Sequence, residues 1–320
     1  MKFSAPSFLV LGRAGMDFYA DPPGTPLEVA ITFKSALGGS AGNAAAGLAR
    51  LGHAVSMASM VADDAVGRFV LNQLKAYGVD VSYVGKVHPS NRTSLAVVDT
   101  RWENNQNVLY RSQAADLQLS PEQIEQIDFS KFGAMLMTGT GFSAEPTRAA
   151  HLLAIKKANR AGTLTVIDLD YRPTAWTSRD EARDVLLDVA TRADVVIGND
   201  EEFAVLAGDS GLAFAESLNS PTKIVVYKMG EHGAITFANG TKTKSNIFSV
   251  TPLKPTGAGD SFMAAFMSSL AKGRDVKEAV KRGSAAAAIV VMRVGCAPAM
   301  PTEQELNQFI VDNDHAFRAV

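Results

Sequence analysis

A single cysteine, Cys296, stands in 320 residues. No internal disulfide framework is possible, and the chain fits a reducing compartment, with the cytoplasm the expected location. Long hydrophobic runs are missing too. Residues 285–292, between Arg282 and Arg293, are far too few to span a bilayer. The start, Met1-Lys2-Phe3-Ser4, lacks the apolar core and small-residue cleavage site of a signal peptide. Neither sign of charge prevails: the net charge is −2, so no global field draws nucleic acid or an acidic membrane. No Lys-Ser/Thr follows Gly259, which excludes a Walker A loop. No G-x-G-x-x-G with a distant acidic partner follows the first apolar run, which argues against a dinucleotide-dependent oxidoreductase. Internal repeats, low-complexity tracts and interdomain linkers are absent as well. With 47% hydrophobic and 20% charged residues, a single globular domain over residues 1–320 is expected.

The stretch that organises the chain is Pro255-Thr256-Gly257-Ala258-Gly259-Asp260-Ser261-Phe262. It follows a strand-like run and opens an apolar pattern over 262–270 that predicts a buried helix. Gly257 and Gly259 allow a sharp turn and close approach to a ligand. Free N–H groups at a helix N-terminus suit a phosphate. Asp260 is electrostatically awkward there unless it takes a proton, and an anion hole beside a base is what phosphoryl transfer to an alcohol requires. The alternative is a glycine-rich turn in which Asp260 caps the helix.

Around this stretch the chain alternates. Residues 8–12 predict a buried first strand with Asp17 at its mouth, where open α/β sheets place ligands. Residues 55–61 and 79–87 predict strands around a helix that stops at Gly78, the second strand returning toward a lid. From Ser120 onward, strands at 134–137, 164–168, 195–198 and 223–228 alternate with helices. One helix, from about Glu145, is expected to turn Ala149, Leu152, Leu153 and Ile155 inward. This pattern predicts an α/β fold with a doubly wound, mostly parallel sheet flanked by helices. Three alternating runs, 27–33, 93–98 and 107–111, carry hairpin signals instead. They predict a small antiparallel β lid built from segments at about 18–37 and 88–112.

Upstream lies a second glycine cluster, Gly38-Gly39-Ser40-Ala41-Gly42-Asn43, opening a small-faced helix. The two clusters, in this order, resemble the paired signatures of the ribokinase-like (PfkB) carbohydrate kinase family, over essentially the whole chain. The resemblance implies an ATP- and Mg²⁺-dependent kinase that phosphorylates a primary hydroxyl of a sugar. Asp260 would be its base, with the N–H groups of Gly257, Ala258 and Gly259 holding the developing charge. It implies sugar contacts from Asp17, Gly39 and Asn43 under a closing lid. Asn199-Asp200-Glu201-Glu202 matches the family's N-x-x-E pattern. That implies Asn199 near the phosphates and Glu202 organising Mg²⁺ through water, an ion that needs few protein ligands. Read without the resemblance, these acids are helix-dipole partners. Lys228-Met229-Gly230-Glu231-His232-Gly233 matches a K-x-G step beside the nucleotide. Lys228, Gly230, Gly233 and Thr256, with Gly257 and Gly259, are thereby implied as nucleotide contacts; a solvated strand end is the other reading of Lys228.

Asp168-Leu169-Asp170-Tyr171-Arg172-Pro173 is similar to a segment of the family's acid-sugar kinases, and Tyr110-Arg111 stands where they place an arginine reaching from the lid. Arginine's planar fork suits a carboxylate. The expected substrate is therefore 5-dehydro-2-deoxygluconate, ahead of 2-keto-3-deoxygluconate and of neutral fructose or ribose. Structural ion pairs, with Arg172 bound to Asp168 or Asp170, are the alternative. A catalytically silent sugar or nucleotide sensor on the same fold is the rival from another class; it needs no base, and Asp260, both loop glycines and Glu202 speak against it. The lid runs expose Val29, Ile31 and Phe33, which predicts a homodimer through the lid. Lys254 stands where potassium-dependent ribokinases carry an aspartate, so no potassium activation is expected. Its ammonium either braces the loop or points to solvent.

Overall fold

The computed structural model describes residues 3–88 and 90–318. Met1 and Lys2, Pro89 in the second expected lid segment, and Ala319 and Val320 lie outside them. The chain opens with β1 (Phe8–Leu11), β2 (Gly15–Asp21), β3 (Thr32–Gly38) and helix α1 (Ser40–Arg50). A β-α-β unit follows, β4 (Val55–Ala62), α2 (Ala65–Ala76) and β5 (Asp80–Val87), then two short strands, β6 (Leu95–Val98) and β7 (Val108–Tyr110). Strands and helices next alternate as α3 (Pro121–Glu125), β8 (Ala134–Thr138), α4 (Thr147–Ala161), β9 (Leu164–Asp168) and α5 (Arg179–Arg192). They continue as β10 (Val195–Asn199), α6 (Asp200–Ala207), α7 (Gly211–Ser217) and β11 (Ile224–Lys228). The hairpin β12 (Ala234–Ala238) and β13 (Thr241–Ser245) leads to α8 (Ala258–Ala271), α9 (Val276–Val291) and α10 (Glu303–Asp312).

Nine strands form one sheet in the order β13-β12-β11-β10-β9-β8-β1-β4-β5. It is parallel from β5 to β11 and antiparallel only through the final hairpin. Because side chains alternate along a strand, each run feeds two cores. Phe8, Val10, Leu136, Val166 and Ile197 pack under α1, α2, α8 and α9. Leu9, Leu11, Met135, Met137, Ile167 and Val196 pack under α3 to α7. The doubly wound sheet is as the alternation predicts. The connections reverse beside β1, which has β4 on one side and β8 on the other, and a crevice at such a reversal is where these sheets take ligands.

A second sheet, in the order β3-β2-β6-β7, stands over that crevice. It is antiparallel apart from the parallel pair β2–β6. Its register gives it two different faces. Asp17 lies opposite Ala36 and Ala96, and Tyr19 opposite Val98, so these residues and Leu109 share one side. That side packs on Cys296. Phe33, Val108 and Tyr110 share the other side and are exposed.

Four local expectations are corrected. Residues 27–29 form a short 3₁₀ turn after Pro26, with Val29 and Ala30 N–H bonded to Pro26 and Leu27 carbonyls, and the strand begins only at Thr32. Asp17 lies inside a strand, β2, not in a loop at the mouth of the first. β5 joins the edge of the large sheet beside β4, as the right-handed crossover through α2 requires, instead of running to the small one. In α4 the buried face is Ala150, Ala154, Ile155 and Ala158, while Leu152 and Leu153 are half-buried. The helix lies close to the sheet on small residues.

Candidate active site

The 255–262 stretch closes the crevice. Gly257 has φ +89°, and a Cβ there would meet Cys296 Sγ at 2.8 Å. α8 then starts with no side-chain cap. Its first-turn N–H groups stay open, while Asp260 on that turn turns its carboxylate elsewhere: Oδ2 accepts a hydrogen bond from Asn43 Nδ2 at 2.8 Å. The reading of Asp260 as a helix cap is therefore excluded. Burial among protein, with the charges of Asp170 and Asp168 nearby, pushes the Asp260 carboxyl up to about 7 against the pull of Asn43 and Arg172. Lys254 does not point to solvent. It is fully buried, with Nζ donating to Thr256 O at 2.5 Å and Val290 O at 3.2 Å, and burial lowers its pKa. The ammonium gathers the carbonyls behind the open turn.

The ends of β9, β10 and β11 supply a cluster of charge beside this turn. Glu202 and Asn199 form a capping box on α6, with Asn199 N–H donating to Glu202 Oε2 at 2.7 Å and Glu202 N–H to Asn199 Oδ1 at 2.8 Å. Burial and the Asp168 carboxylate push Glu202 up to about 7. Lys228 is no solvated strand end. Its Nζ donates to Asp168 Oδ2 at 3.3 Å and lies 3.5 Å from where a Cβ on Gly259 would sit. Burial alone would lower the Lys228 pKa, but Asp168 and Glu202 outweigh it and raise it. Gly230 and Gly233 follow in a tight turn with positive φ.

The other wall is built by Asp17, Gly39, Asn43 and their neighbours. Asp17 packs against Gly38, whose missing Cβ leaves room for the carboxylate, and Gly39 at φ +89° clears the Arg13 carbonyl. Tyr19 Oη donates to Asp17 Oδ2 at 2.9 Å and accepts from Cys296 N–H at 3.0 Å. Asp17 Oδ1 and Asn43 Oδ1 are buried without partners. Burial raises the Asp17 pKa, with Arg13 pulling it back. From the small sheet's loop, Asn107 Nδ2 donates to Thr256 Oγ1 at 3.1 Å, so this sheet touches the anion turn directly.

The two arginines expected at the substrate, Arg111 and Arg172, are both partnered. Arg111 Nε and Nη2 donate to Asp116 Oδ2, at 2.8 and 2.6 Å, and Nη1 donates to Thr140 O at 3.0 Å. Arg172 pairs with Asp170 at 2.9 Å while 61% of its side chain stays exposed, and Asp170, with Glu202, Asp260 and Asp168 beyond it, raises its pKa. Tyr110 is a correction: strand alternation places it on the face opposite Asp17, 62% exposed, away from the crevice. Sequence reasoning gave no role to Ser40, Thr140 and Tyr19. Ser40 and Thr140 hydroxyls hold Asp170 Oδ2 at 2.8 and 3.2 Å. Their only signal was position, at the mouths of a helix and a strand.

The sequence model described as pfkB family carbohydrate kinase matches residues 5–303. A 5-dehydro-2-deoxygluconokinase of Photobacterium profundum is 36% identical over 310 residues, covering 94% of each chain. The crystal structure of a PfkB protein from Polaromonas sp. JS666 is similar at 30% identity and a TM-score of 0.81, over 95% of this chain and 99% of that one. A fructokinase with bound ATP from Xylella fastidiosa shares the fold, with a TM-score of 0.86 at 23% identity over 97% and 99% of the two chains.

A carboxyl raised from 3.8 to about 7 binds protons in the folded chain that it releases in the unfolded one. It therefore costs stability as pH rises from 4 to 7, and above 7 the loss is complete. Asp260→Asn removes that buried charge and keeps an acceptor for Asn43. At pH 8 it is expected to stabilise the protein by on the order of 1–3 kcal/mol, a gain that shrinks toward pH 4. Thermal unfolding across this range checks it; an equal or lower midpoint at pH 8 contradicts the account.

Proposed function

The chain belongs to the pfkB family of carbohydrate kinases and is a phosphotransferase acting on a sugar; from that premise we propose that it phosphorylates 5-dehydro-2-deoxygluconate with ATP. The observation that carries the chemistry is the uncapped first turn of α8 beside Asp260. Asp260 takes the hydroxyl proton as the sugar oxygen bonds to the γ-phosphorus and ADP departs, and the N–H groups of Gly257, Ala258 and Gly259 hold the developing negative charge. Asp17, Gly39 and Asn43 bind hydroxyls. Arg111, which commits three N–H groups to Asp116 and Thr140 and keeps others free, and Arg172 at the rim face the acidic end. Asn199, Lys228, Gly230, Gly233 and Thr256 line the nucleotide side.

Magnesium fits the site. Asp168, Asp170, Glu202 and Asp260 outnumber Lys228 and Arg172, and burial, helped by this excess negative charge, pushes Glu202 and Asp260 up to about 7. Glu202 would hold the ion through water, and the ion when bound supplies charge neutralisation at the phosphates. The choice of sugar is supported by the relatives named for it and by the arginines at one wall.

A coupled assay of ADP release across 5-dehydro-2-deoxygluconate, 2-keto-3-deoxygluconate, fructose and ribose is expected to give the highest kcat/KM with the first. Better turnover of fructose or ribose overturns the acid-sugar reading. In the same assay Asp260→Asn should lose roughly 10²–10⁴-fold in kcat, and wild-type kcat/KM should fall below pH 7 as Asp260 protonates. Retention of a tenth of the activity removes Asp260 as the base.

We also propose that the Lys254 ammonium does the work of a bound monovalent cation. Replacing choline chloride by KCl at matched ionic strength should leave kcat unchanged, and Lys254→Ala should lose activity. A severalfold rise with KCl sinks this reading. Finally, the outer face of the small sheet, with Phe33, Val108 and Tyr110 and the neighbouring Val29, Ile31 and Trp102, is proposed to pair with a second copy. Light scattering at micromolar concentration should report twice the 33.9 kDa chain mass; a monomer counts against it.

A further inference from the structure

Arg13 follows β1, at the strand end where the connections of the large sheet reverse. Its backbone is pinned: the carbonyl accepts from Gly42 N–H at 3.1 Å, and Gly39 passes so close that a Cβ would strike it. The side chain is half-buried. Nε and Nη1 of the guanidinium are sheltered from solvent and have no hydrogen-bond partner among the described residues. Arginine stays charged under all ordinary conditions, so sheltered N–H groups without acceptors cost stability in the resting protein.

The neighbours are complementary. Asp17 Oδ1 and Asn43 Oδ1 are likewise buried and unpartnered. Asp17 feels the Arg13 charge more than that of any other cation. All three residues border the 38–43 turn: Asp17 packs on Gly38, Arg13 meets Gly39 and Gly42, and Asn43 ends the turn. Donors and acceptors lie in one region yet do not bond each other, a set of unmet groups that matches a molecule with hydroxyls and an anionic end. Arg111 and Arg172, by contrast, already hold carboxylates.

We propose that Arg13 is a specificity-determining residue, whose Nε and Nη1 receive the carboxylate of the acidic sugar while Asp17 and Asn43 accept from its hydroxyls. This assignment rests on the acid-sugar reading above and adds a residue to it. Binding would satisfy all the orphaned atoms at once, and a neutral sugar would leave the guanidinium unmet. Discrimination against a ligand that leaves buried polar groups unpaired is the strong kind.

The test uses Arg13→Met, which fills the space without charge, and Arg13→Lys, which keeps the charge without the fork. KM for 5-dehydro-2-deoxygluconate and for fructose is measured at saturating ATP, with thermal midpoints taken with and without the acid and no nucleotide. Arg13→Met should raise KM for the acid at least tenfold more than for fructose and abolish the midpoint shift caused by the acid. Its own midpoint without sugar should hold or rise, because an unpaired buried charge is gone; Arg13→Lys should recover part of the shift. A wild type that prefers fructose overturns the acid-sugar reading and this assignment together. A wild type that prefers the acid, with equal KM penalties in Arg13→Met, overturns this assignment alone. An Arg13→Met chain that fails to fold, or melts lower and keeps its response to the acid, makes Arg13 structural and overturns it as well.

Discussion

A helix N-terminus left without a cap is the constraint on which the arrangement depends. Asp64, Ser178, Asn199, Asp275 and Thr302 each cap the helix they precede, a contact worth about 1 kcal/mol. α1 and α8, which meet at the crevice, begin instead at Gly39 and Gly257, both at φ +89° and both without a side-chain acceptor. In α8, forgoing the cap keeps N–H donors and the positive end of the dipole available to an anion, whereas in α1 the Gly42 N–H is already taken by the Arg13 carbonyl. The rest of the local packing holds that turn in place. Gly47 lets α1 approach α8 so closely that a Cβ there would lie 2.9 Å from Ala264, and Gly283 does the same for α9 against Phe262. Asn43 then reaches Asp260 from α1.

An uncapped helix start beside the proposed base, Asp260, sets two demands against each other. The site wants positive potential, which would hold the base ionised and weak; the base wants a raised pKa. The structure separates the sources. Lys254 serves the turn from behind, through backbone carbonyls. Lys228 is tied to Asp168, so its charge is shared before it reaches Asp260. Asp168 and Asp170 on the same side press the Asp260 carboxyl upward, and burial does the larger part. A group near 7 is divided between its two protonation states at neutral pH, where a general base works well.

The large sheet was legible because its runs obey one rule, short apolar segments alternating with helices, and tertiary packing rewards that rule on both faces. The glycine turn that opens α8 and the capping residues that open α6 were legible as well, as backbone features, since glycine and acid spacing reflect backbone needs. What escaped depends on register. Whether Tyr110 faces Asp17 or the outside turns on which residue it opposes, and a shift of one place reverses the answer. β2 was missed because its pattern mixes Asp17 with Phe18 and Tyr19, and only the fold shows that the buried aspartate is held by a tyrosine two places on. Arg13 carried no sequence signal. An arginine after a strand is ordinary, and it becomes informative only when its nitrogens are seen to lack partners.

The inner face of the small sheet ties the proposed sugar contacts to the proposed anion turn. Tyr19 bonds Asp17 on one hand and the Cys296 N–H on the other, and Cys296 Sγ lies where a side chain on Gly257 would have to go. Asn107 adds a second tie, from the same sheet to Thr256. A displacement of β2 that tightens around Asp17 must therefore move Cys296 or stretch a buried bond, and close packing passes the movement to the turn at Gly257. The outer face does not share this constraint. Phe33, Val108 and Tyr110 lie on the face opposite the one packed on Cys296, so a partner seated there would stiffen the sheet without meeting the polar contacts beneath it. Stiffening alone matters here, because both ties to the turn before α8 run through this sheet and its loop, and their geometry is only as fixed as the sheet that carries them.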